Sequence, residues 1–446
     1  MLIYDGDCNF CMRWIEQWKK ATGNRVEYIS SQEILAAGRF SEIPPDDYSR
    51  SVQLVETDGL VYNGAEAVFR SLAHGPNWGW LLRLYQRSKL FAKLNEAAYA
   101  FVATHRMFFS MVTRWILPDQ EVKYDLTRSL FLRLLGLVYL CAFVSLVSQV
   151  SGLVGPDGIQ PFQRILHIEA ERMHGLELLH QMPTLCWWLG ASDPSLQGQC
   201  IAGMICAVLL MAGVLPLLNL VLLWILYLSM TVAGDLFMSF QWENLLLEAG
   251  LVAVFFAPAS RTLRCGNTPS GIALFLARWL TFRLMFESGW VKLGSGDSAW
   301  RNLFALDFHY ETQPLPTMLG FVAHQMPHFG HAVSIIVMLF IELALPFLIF
   351  GPRRGRILCA TVFASLQLII GLTGNYGFFN LLMIVLCVPL LDDAVIRKLF
   401  GFRTPSEEKN PPQYRFSKLK LALRGSFLVL ALLITGVHLL ARGSRW

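Results

Sequence analysis

The sequence predicts a small α/β domain at the N-terminus, followed by an all-α bundle that spans a membrane several times. The chain has 446 residues, of which 54% are hydrophobic and only 15% are charged. A soluble protein usually carries about 25% charged residues, so the missing charge indicates transmembrane helices. The first 75 residues differ from the rest, because short strand and helix patterns alternate there without a long apolar run.

Four short segments of the first domain have the composition of β-strands. They are residues 1–4, 25–30, 52–56 and 60–62. Thr57-Asp58-Gly59, between the last two, is typical of a hairpin turn. Helices are predicted at residues 12–20 and 65–73, and residues 44–47 are predicted to form a loop.

A Cys-x-x-Cys pair follows the first predicted strand, in Asp5-Gly6-Asp7-Cys8-Asn9-Phe10-Cys11. Dithiol redox chemistry needs one accessible thiolate to attack and a second thiol to resolve the mixed disulfide, and a helix N-terminus favours the thiolate. A zinc site would need two further ligands, whereas His74 and His105 are isolated in the sequence. We expect a redox pair with no metal and no cofactor, and two unreactive thiols remain the alternative.

The Asp-Gly-Asp-Cys-x-x-Cys start, together with Asp58-Gly59 and residues 62–67, resembles the DCC family of predicted thiol-disulfide oxidoreductases. The resemblance covers about residues 1–85. It implies a thioredoxin-like fold in which Cys8 and Cys11 are the redox pair, and in which Asp5 and Asp7 belong to the same signature.

Residues 86–127 are predicted to connect the two parts of the chain. This stretch and the ten residues before it are amphipathic, with Trp78 and Trp80 on the apolar side and Arg83 and Arg87 among the basic residues. Such a segment can lie on an anionic membrane surface. A soluble helix packed on the first domain or on the membrane body is the alternative.

About nine apolar segments after residue 128 predict membrane-spanning helices, although the shorter ones fall below the 20 or so residues that a crossing needs. They are residues 129–150, 199–213, 215–233, 242–258, 271–291, 330–350, 357–374, 376–391 and 426–441. The basic clusters lie before the first segment and after the fourth, sixth and eighth. Since such clusters stay in the cytosol, they predict a cytosolic N-terminal domain and an outside C-terminus, with residues 151–198 and 292–329 outside.

The expected location is therefore the bilayer of the bacterial inner membrane, in a multi-pass arrangement. No cleavable signal peptide is expected, because residues 1–30 are polar and patterned like a soluble fold. The net charge of +5 is mild, and the basic residues lie between apolar runs, which fits membrane topology better than nucleic-acid binding.

Ionisable residues inside predicted spans favour a functional or cavity-facing position, because exposure to lipid is unfavourable. Glu243 and Glu248 lie in the fourth span, and Arg283 and Glu287 lie one helical turn apart in the fifth, where they can pair. Glu342, in the sixth, has no partner nearby in the sequence. These groups either neutralise one another inside the bundle or form a catalytic or transport site.

Several motifs of the second part occur in the order that is typical of the lipase maturation factor family. They are residues 155–161, 241–248, 278–292, 300–303, 310–316 and 374–380. The resemblance covers most of residues 128–446. Members of this family in animals are endoplasmic-reticulum membrane proteins needed for secreted lipases to fold and assemble. The resemblance implies that this chain is a membrane folding or maturation factor. Its expected partners are a client lipase or other exported protein and a thiol electron donor or acceptor.

Two alternative functions remain open. Gly289-Trp290-Val291-Lys292-Leu293 is similar to a segment of vitamin K-dependent gamma-carboxylases in which the Lys acts as a base. If Lys292 lies at a dry membrane boundary, its amine loses solvation, and a neutral amine can act as a base. The simpler interpretation is that Lys292 lies at the membrane interface and extends its ammonium group to the lipid headgroups. Alternatively, the body only anchors a cytosolic thiol oxidoreductase.

Overall fold

The computed structural model describes residues 1–37, 40, 43–76, 78–106, 109, 122–172, 176–258, 260–263 and 269–401. The chain forms two compact units, Met1–Glu121 and Val122–Trp446. The first contains a small sheet, and the described part of the second is mostly helical. Each unit is described by itself.

The first unit contains a four-stranded sheet with the strand order β2-β1-β3-β4. The strands are β1 (Leu2–Tyr4), β2 (Tyr28–Ser30), β3 (Gln53–Val55) and β4 (Val61–Asn63). β1 is parallel to β2 and antiparallel to β3, and β3 is antiparallel to β4. All four predicted strands are present. The predicted hairpin turn joins β3 to β4, with Gly59 at a φ of 83° that favours glycine.

Helices cover both faces of this sheet. They are α1 (Asn9–Thr22), α2 (Ser31–Ala36), α3 (Pro45–Arg50) and α4 (Gly64–Ala73). Leu2 faces the cluster that includes Ile15 of α1, whereas Ile3 faces the cluster that includes Ile34 of α2, as expected for alternating strand side chains. The loop predicted at residues 44–47 was wrong, because a helix begins at Pro45, where a proline removes only an N–H that the helix would leave unpaired.

Residues 86–106 of the predicted connector belong to the first unit, whereas residues 122–127 belong to the second. Helices α5 (Gly79–Arg87) and α6 (Lys89–Thr104) both pack on α4. The Glu96 carboxylate accepts hydrogen bonds from the backbone N–H groups of Ala65 and Glu66 at 3.3 and 3.0 Å and from the Tyr85 hydroxyl at 2.7 Å. Glu96 thus caps the start of α4. The division into residues 1–85, 86–127 and 128–446 stays a prediction.

The second unit is a bundle of helices over its described residues. They are α7 (Asp125–Val154), α8 (Phe162–Arg172), α9 (Leu176–Gln181), α10 (Cys186–Leu189), α11 (Asp193–Ala212), α12 (Pro216–Gly234), α13 (Gln241–Phe256), α14 (Gly271–Gly294), α15 (Ser298–Arg301), α16 (Ala305–Thr312), α17 (Met318–His324), α18 (His328–Leu343), α19 (Arg353–Thr373), α20 (Phe379–Cys387) and α21 (Asp393–Phe400). α7 packs closely on α11, where a Cβ at Gly203 would collide with the ring of Phe143.

Five helical segments of the described residues are long and apolar enough to cross a membrane. They are Asp125–Val154, Asp193–Ala212, Pro216–Met238, His328–Phe350 and Arg353–Thr373. The count of about nine spans is therefore not confirmed. α13 has only 16 residues, and α14 carries Arg278, Arg283, Glu287 and Lys292 along its length. The last predicted span, residues 426–441, lies outside the described residues.

Candidate functional site

The two cysteines of the first unit lie on a turn between a strand and a helix. Cys8 is the N-cap of α1 and forms a disulfide with Cys11, with the two Cα atoms 5.2 Å apart. The Cys11 N–H points at the Cys8 sulfur from 3.2 Å. Both residues are partly exposed. The predicted position of the pair at a helix N-terminus is confirmed, and there the helix dipole favours a Cys8 thiolate in the reduced form.

The two signature aspartates shape the turn that precedes Cys8. Asp5 accepts the Asp7 N–H at 3.1 Å, and the Gln32 amide donates to Asp7 at 3.0 Å and accepts the Gly6 N–H at 3.0 Å. The Arg106 guanidinium lies 3.5 Å from the other Asp5 oxygen. Sequence reasoning missed Gln32 and Arg106, because they lie 27 and 101 residues from Asp5 and carry no motif.

The isolated histidines of the first unit have ordinary neighbours. His74 lies 3.3 Å from Glu56, and His105 Nδ1 lies 2.9 Å from the Phe101 carbonyl. Over the ranges that the structure describes, no group of three or more His, Cys, Asp or Glu side chains could hold a metal ion.

In the second unit, the ionisable residues singled out from the sequence divide into three groups. The first is built around Arg283 of α14, which forms an ion pair with Glu248 of α13 and lies 3.9 Å from Glu287 on its own helix. The predicted pairing of Arg283 with Glu287 is confirmed, and Glu248 is a second acceptor from a neighbouring helix.

The second group joins Lys292 of α14 to Glu342 of α18. The Lys292 ammonium lies 2.7 Å from both Glu342 oxygens and 5.6 Å from the centre of the Trp300 ring. Glu342 is only 3% exposed, so this pair neutralises a buried charge. Gly289, one turn before Lys292, faces the Glu342 Cβ and leaves room for α18 to approach α14 closely. The partner of Glu342 was missed because it lies 50 residues away.

The third group is a buried contact in which the Tyr227 hydroxyl donates to Glu243. Tyr227 packs edge-on against Tyr139 and Phe143. The first two groups are separated along α14, since the step of nine residues from Arg283 to Lys292 corresponds to about 13 Å of helix. The third group joins α12 to α13 and contains no residue of α14. The structure therefore brings the five residues of the predicted membrane-domain site into three separate pairings.

Two adjacent aspartates fasten α21 to the rest of the bundle. The Asp393 carboxylate accepts the backbone N–H groups of Asp125 and Thr127 at 3.0 and 2.9 Å, at the start of α7. Asp392 accepts two hydrogen bonds from Arg353, at 2.5 and 2.9 Å. Burial alone would raise the pKa of Asp392, but the hydrogen bonds and charge of Arg353 outweigh it and hold that pKa below its usual value.

A second polar cluster lies around α16 and the start of α18. Asp307 lies 2.9 Å from His328 Nδ1 and 2.6 Å from His331 Nδ1. Burial acts to raise the pKa of Asp307, but the two histidines outweigh it and lower that pKa. His309 contacts the Tyr376 hydroxyl at 2.9 Å, and burial lowers the pKa of His309. The only sequence signal for this cluster was the i, i+3 spacing of the two histidines.

Two family models match the chain. Residues 126–398 match the lipase maturation factor transmembrane domain, and residues 2–111 match the DCC1-like thiol-disulfide oxidoreductase. The first match covers more than half of the chain.

Curated relatives agree with the first match. Lipase maturation factor 2 of Xenopus tropicalis is 39% identical over 307 residues, which are 66% of this chain and 43% of the relative. Lipase maturation factor 2 of Homo sapiens is 40% identical over 288 residues, or 60% of this chain and 40% of the relative. Lipase maturation factor 1 of Bos taurus is 34% identical over 283 residues, or 62% of this chain and 50% of the relative. The alignments thus span half or less of each relative's length. No solved structure matches.

Proposed function

Since this chain belongs to the lipase maturation factor family and carries a DCC1-like domain, we propose that it is an integral membrane folding factor with thiol-disulfide redox activity. The first unit, Met1–Glu121, would be its redox head, and the second unit, Val122–Trp446, its membrane body. Its clients would be secreted or envelope enzymes such as lipases. The observation that carries the proposal is the Cys8–Cys11 disulfide at the N-terminus of α1, in a chain whose larger part matches the transmembrane domain of the family.

The proposed chemistry of the head is dithiol–disulfide exchange. The Cys8 thiolate attacks a disulfide sulfur of the partner, forms a mixed disulfide and releases one partner thiolate. Cys11 then attacks the Cys8 sulfur, which releases the second partner thiolate and forms the Cys8–Cys11 disulfide. Two electrons pass from the head to the partner, and the same steps in reverse oxidise a partner dithiol. The partner in this exchange is a thiol electron donor or acceptor.

A thioredoxin-like fold is part of this proposal. The support is the sheet, in which a parallel β1-α1-β2 unit is followed by an antiparallel β3-β4 hairpin and α4. Cys8 at the end of the first loop matches the position that a nucleophilic thiol needs, because it is partly exposed at a helix N-terminus.

The chain is a multi-pass membrane protein, and we propose the bacterial inner membrane with a cytosolic head and an outside C-terminus. The basic clusters between apolar segments support this orientation. Labelling of Cys8 by a membrane-impermeant thiol reagent in intact cells, after mild reduction, would contradict the cytosolic placement. The count of about nine spans belongs to the same proposal.

The experiment that tests the function is capture of the partner as a mixed disulfide. In the full chain with Cys11→Ser, Cys8 attacks but no resolving thiol remains, so solubilised protein should carry a partner that a reductant releases. The double variant Cys8→Ser/Cys11→Ser is the matched control and should capture none. If both variants give the same associated proteins, the redox head has no thiol partner and the proposal fails.

Two other functions stay predictions. The first is a membrane-embedded enzyme with Lys292 as base. The contact of Lys292 with both Glu342 oxygens competes with this role, because an amine held in an ion pair stays protonated and cannot accept a proton. Full complementation of a knockout by Lys292→Ala would exclude the enzyme. For a body that only anchors the head, release of the whole first unit, residues 1–121, as a free protein should rescue the same knockout.

A further inference from the structure

The segment between α16 and α18 exposes large apolar side chains. Met318 of α17 is 87% exposed and Phe321 is 66% exposed, and Leu315 and Val322 are also exposed. The sequence places this segment in an outside loop, where such side chains would face water. An exposed apolar patch of this kind marks an interaction surface.

The apolar side chains cannot turn inward, because α17 is fixed on both sides. On one side it packs on the C-terminal end of α19, where the Thr317 hydroxyl donates to the Leu372 carbonyl at 2.7 Å and a Cβ at Gly320 would collide with the Thr373 carbonyl. On the other side the His331 ring of α18 lies 2.9 Å from the Ala323 carbonyl of α17, and Asp307 of α16 holds that ring from 2.6 Å. The buried face of α17 is thus occupied by protein.

The exposed face of α17 continues the outer surface of two candidate membrane spans. Near the end of α19, on which α17 packs, Leu368, Ile369 and Leu372 are exposed. In α18, which follows directly in the chain, Phe329 and Ile336 are exposed among other apolar residues. Exposed apolar side chains of a membrane span contact lipid, so the same environment extends to α17.

Charge is also missing from this part of the chain. No Asp, Glu, Lys or Arg occurs between Glu311 and Glu342. A water-exposed loop of this length would normally carry several charged residues. α17 has only 7 residues, about 10 Å of helix, and is therefore too short to cross the hydrocarbon core of about 30 Å.

We infer that residues 315–326 form an interfacial segment in which the exposed apolar face of α17 inserts into the acyl chains of the adjacent bilayer leaflet. The occupant of this surface is phospholipid. The segment anchors the 292–329 region at the membrane surface, instead of leaving it as an aqueous loop.

Photo-crosslinking in vesicles tests this directly. The full chain with Phe321→p-benzoylphenylalanine, which preserves the aromatic ring, is reconstituted in phosphatidylcholine vesicles and irradiated. Mass spectrometry should find a phospholipid adduct at position 321. Ile336→p-benzoylphenylalanine, on the exposed face of α18, is the lipid-facing reference, and Asp157→p-benzoylphenylalanine, at an exposed polar position, should give no lipid adduct.

The other occupants would give different products. A crosslink between two copies of the chain in place of the lipid adduct would assign the surface to self-association and overturn the inference. If the variant at position 321 gives no lipid adduct while the Ile336 variant does, the segment faces water and the inference is wrong. Met318→p-benzoylphenylalanine, at the most exposed position, repeats the test if the Phe321 variant fails to fold.

Discussion

The head (Met1–Glu121) and the body (Val122–Trp446) arrange the residues singled out from the sequence in different ways. In the head, the proposed redox motif occupies seven consecutive residues, from Asp5 to Cys11, and both sulfurs are partly exposed. In the body, Lys292 pairs with Glu342 over 50 residues, and Arg283 pairs with Glu248 over 35. The comparison teaches that the two sulfurs of the head are accessible to a partner, whereas these charges of the body join one helix to another.

The largest effect is expected from removing the carboxylate of the buried Lys292–Glu342 ion pair. Glu342→Gln leaves the Lys292 charge without its carboxylate and should lower the free energy of unfolding by about 3–5 kcal/mol. The measurement is denaturant unfolding of the full chain in detergent. The double variant Lys292→Met/Glu342→Gln should recover most of the loss, because no unpaired charge remains.

The matched control for this pair is an exposed one. Glu169→Gln removes the partner of Arg172, which is 69% exposed, and should change the free energy of unfolding by less than about 1 kcal/mol. If Glu342→Gln behaves like Glu169→Gln, the body's pair is not structural, and a role for Lys292 in chemistry gains support.

A smaller effect is expected where the connector meets the head. Glu96→Ala leaves two backbone N–H groups and the Tyr85 hydroxyl without their acceptor and should destabilise the head by about 1.5–3 kcal/mol. Limited proteolysis along a urea gradient should then cleave the head at lower urea, with the body unchanged. Glu16→Ala, at an exposed position of α1, is the control, and equal protection in both variants would mean that α6 is not part of the head.

The next effect concerns the environment of the thiols. Gln32→Leu removes the amide that donates to Asp7, which leaves more uncompensated negative charge near Cys8 and disfavours its thiolate. The reduction potential of the pair should become more negative by roughly 30 mV, equivalent to about 1.4 kcal/mol. Gln17→Leu on α1 is the control, and an unchanged potential in Gln32→Leu would remove Gln32 from the site.

The smallest effect is a pH dependence in the body. Burial lowers the pKa of His309, so the folded protein favours the neutral ring. The folded pKa lies below the unfolded value of about 6.5, so the contribution of His309 to stability is present above about pH 6.5 and is lost as the pH falls from there through the folded pKa. His309→Gln should flatten this loss in thermal unfolding, whereas His180→Gln, at an exposed position, should not. Parallel pH profiles for the parent and His309→Gln would contradict the assignment.

Whether a feature could be predicted from the sequence depends on how many residues separate the interacting partners along the chain. The four strands, the thiol pair at a helix N-terminus and the Arg283–Glu287 pair depend on residues within a few positions of one another, and the structure contains all of them. Residue spacing sets these features directly, so a single sequence is enough to predict them.

The features that the sequence did not predict depend on residues that are brought together only when the chain folds. Asp393 binds the start of α7 across 266 residues, and no local pattern indicates that partner. The packing of α6 on the head was one of the alternatives that the sequence left open, because an amphipathic helix has the same pattern on a membrane and on a protein. The count of about nine spans is not confirmed, and α14, which carries charged residues along its length, is one of the segments in question. Sequence gives apolar length but not the ion pairs that accommodate those charges.

The most direct test of a redox head on this membrane body is a redox titration of the full chain in detergent. Glutathione buffers poised across roughly −180 to −270 mV would be quenched with an alkylating reagent, and the Cys8–Cys11 state read by mass spectrometry. The pair should oxidise and reduce reversibly with one two-electron midpoint, which Cys11→Ser abolishes. If Cys8 and Cys11 stay reduced throughout, or cannot be reduced, the head is not a thiol-disulfide oxidoreductase.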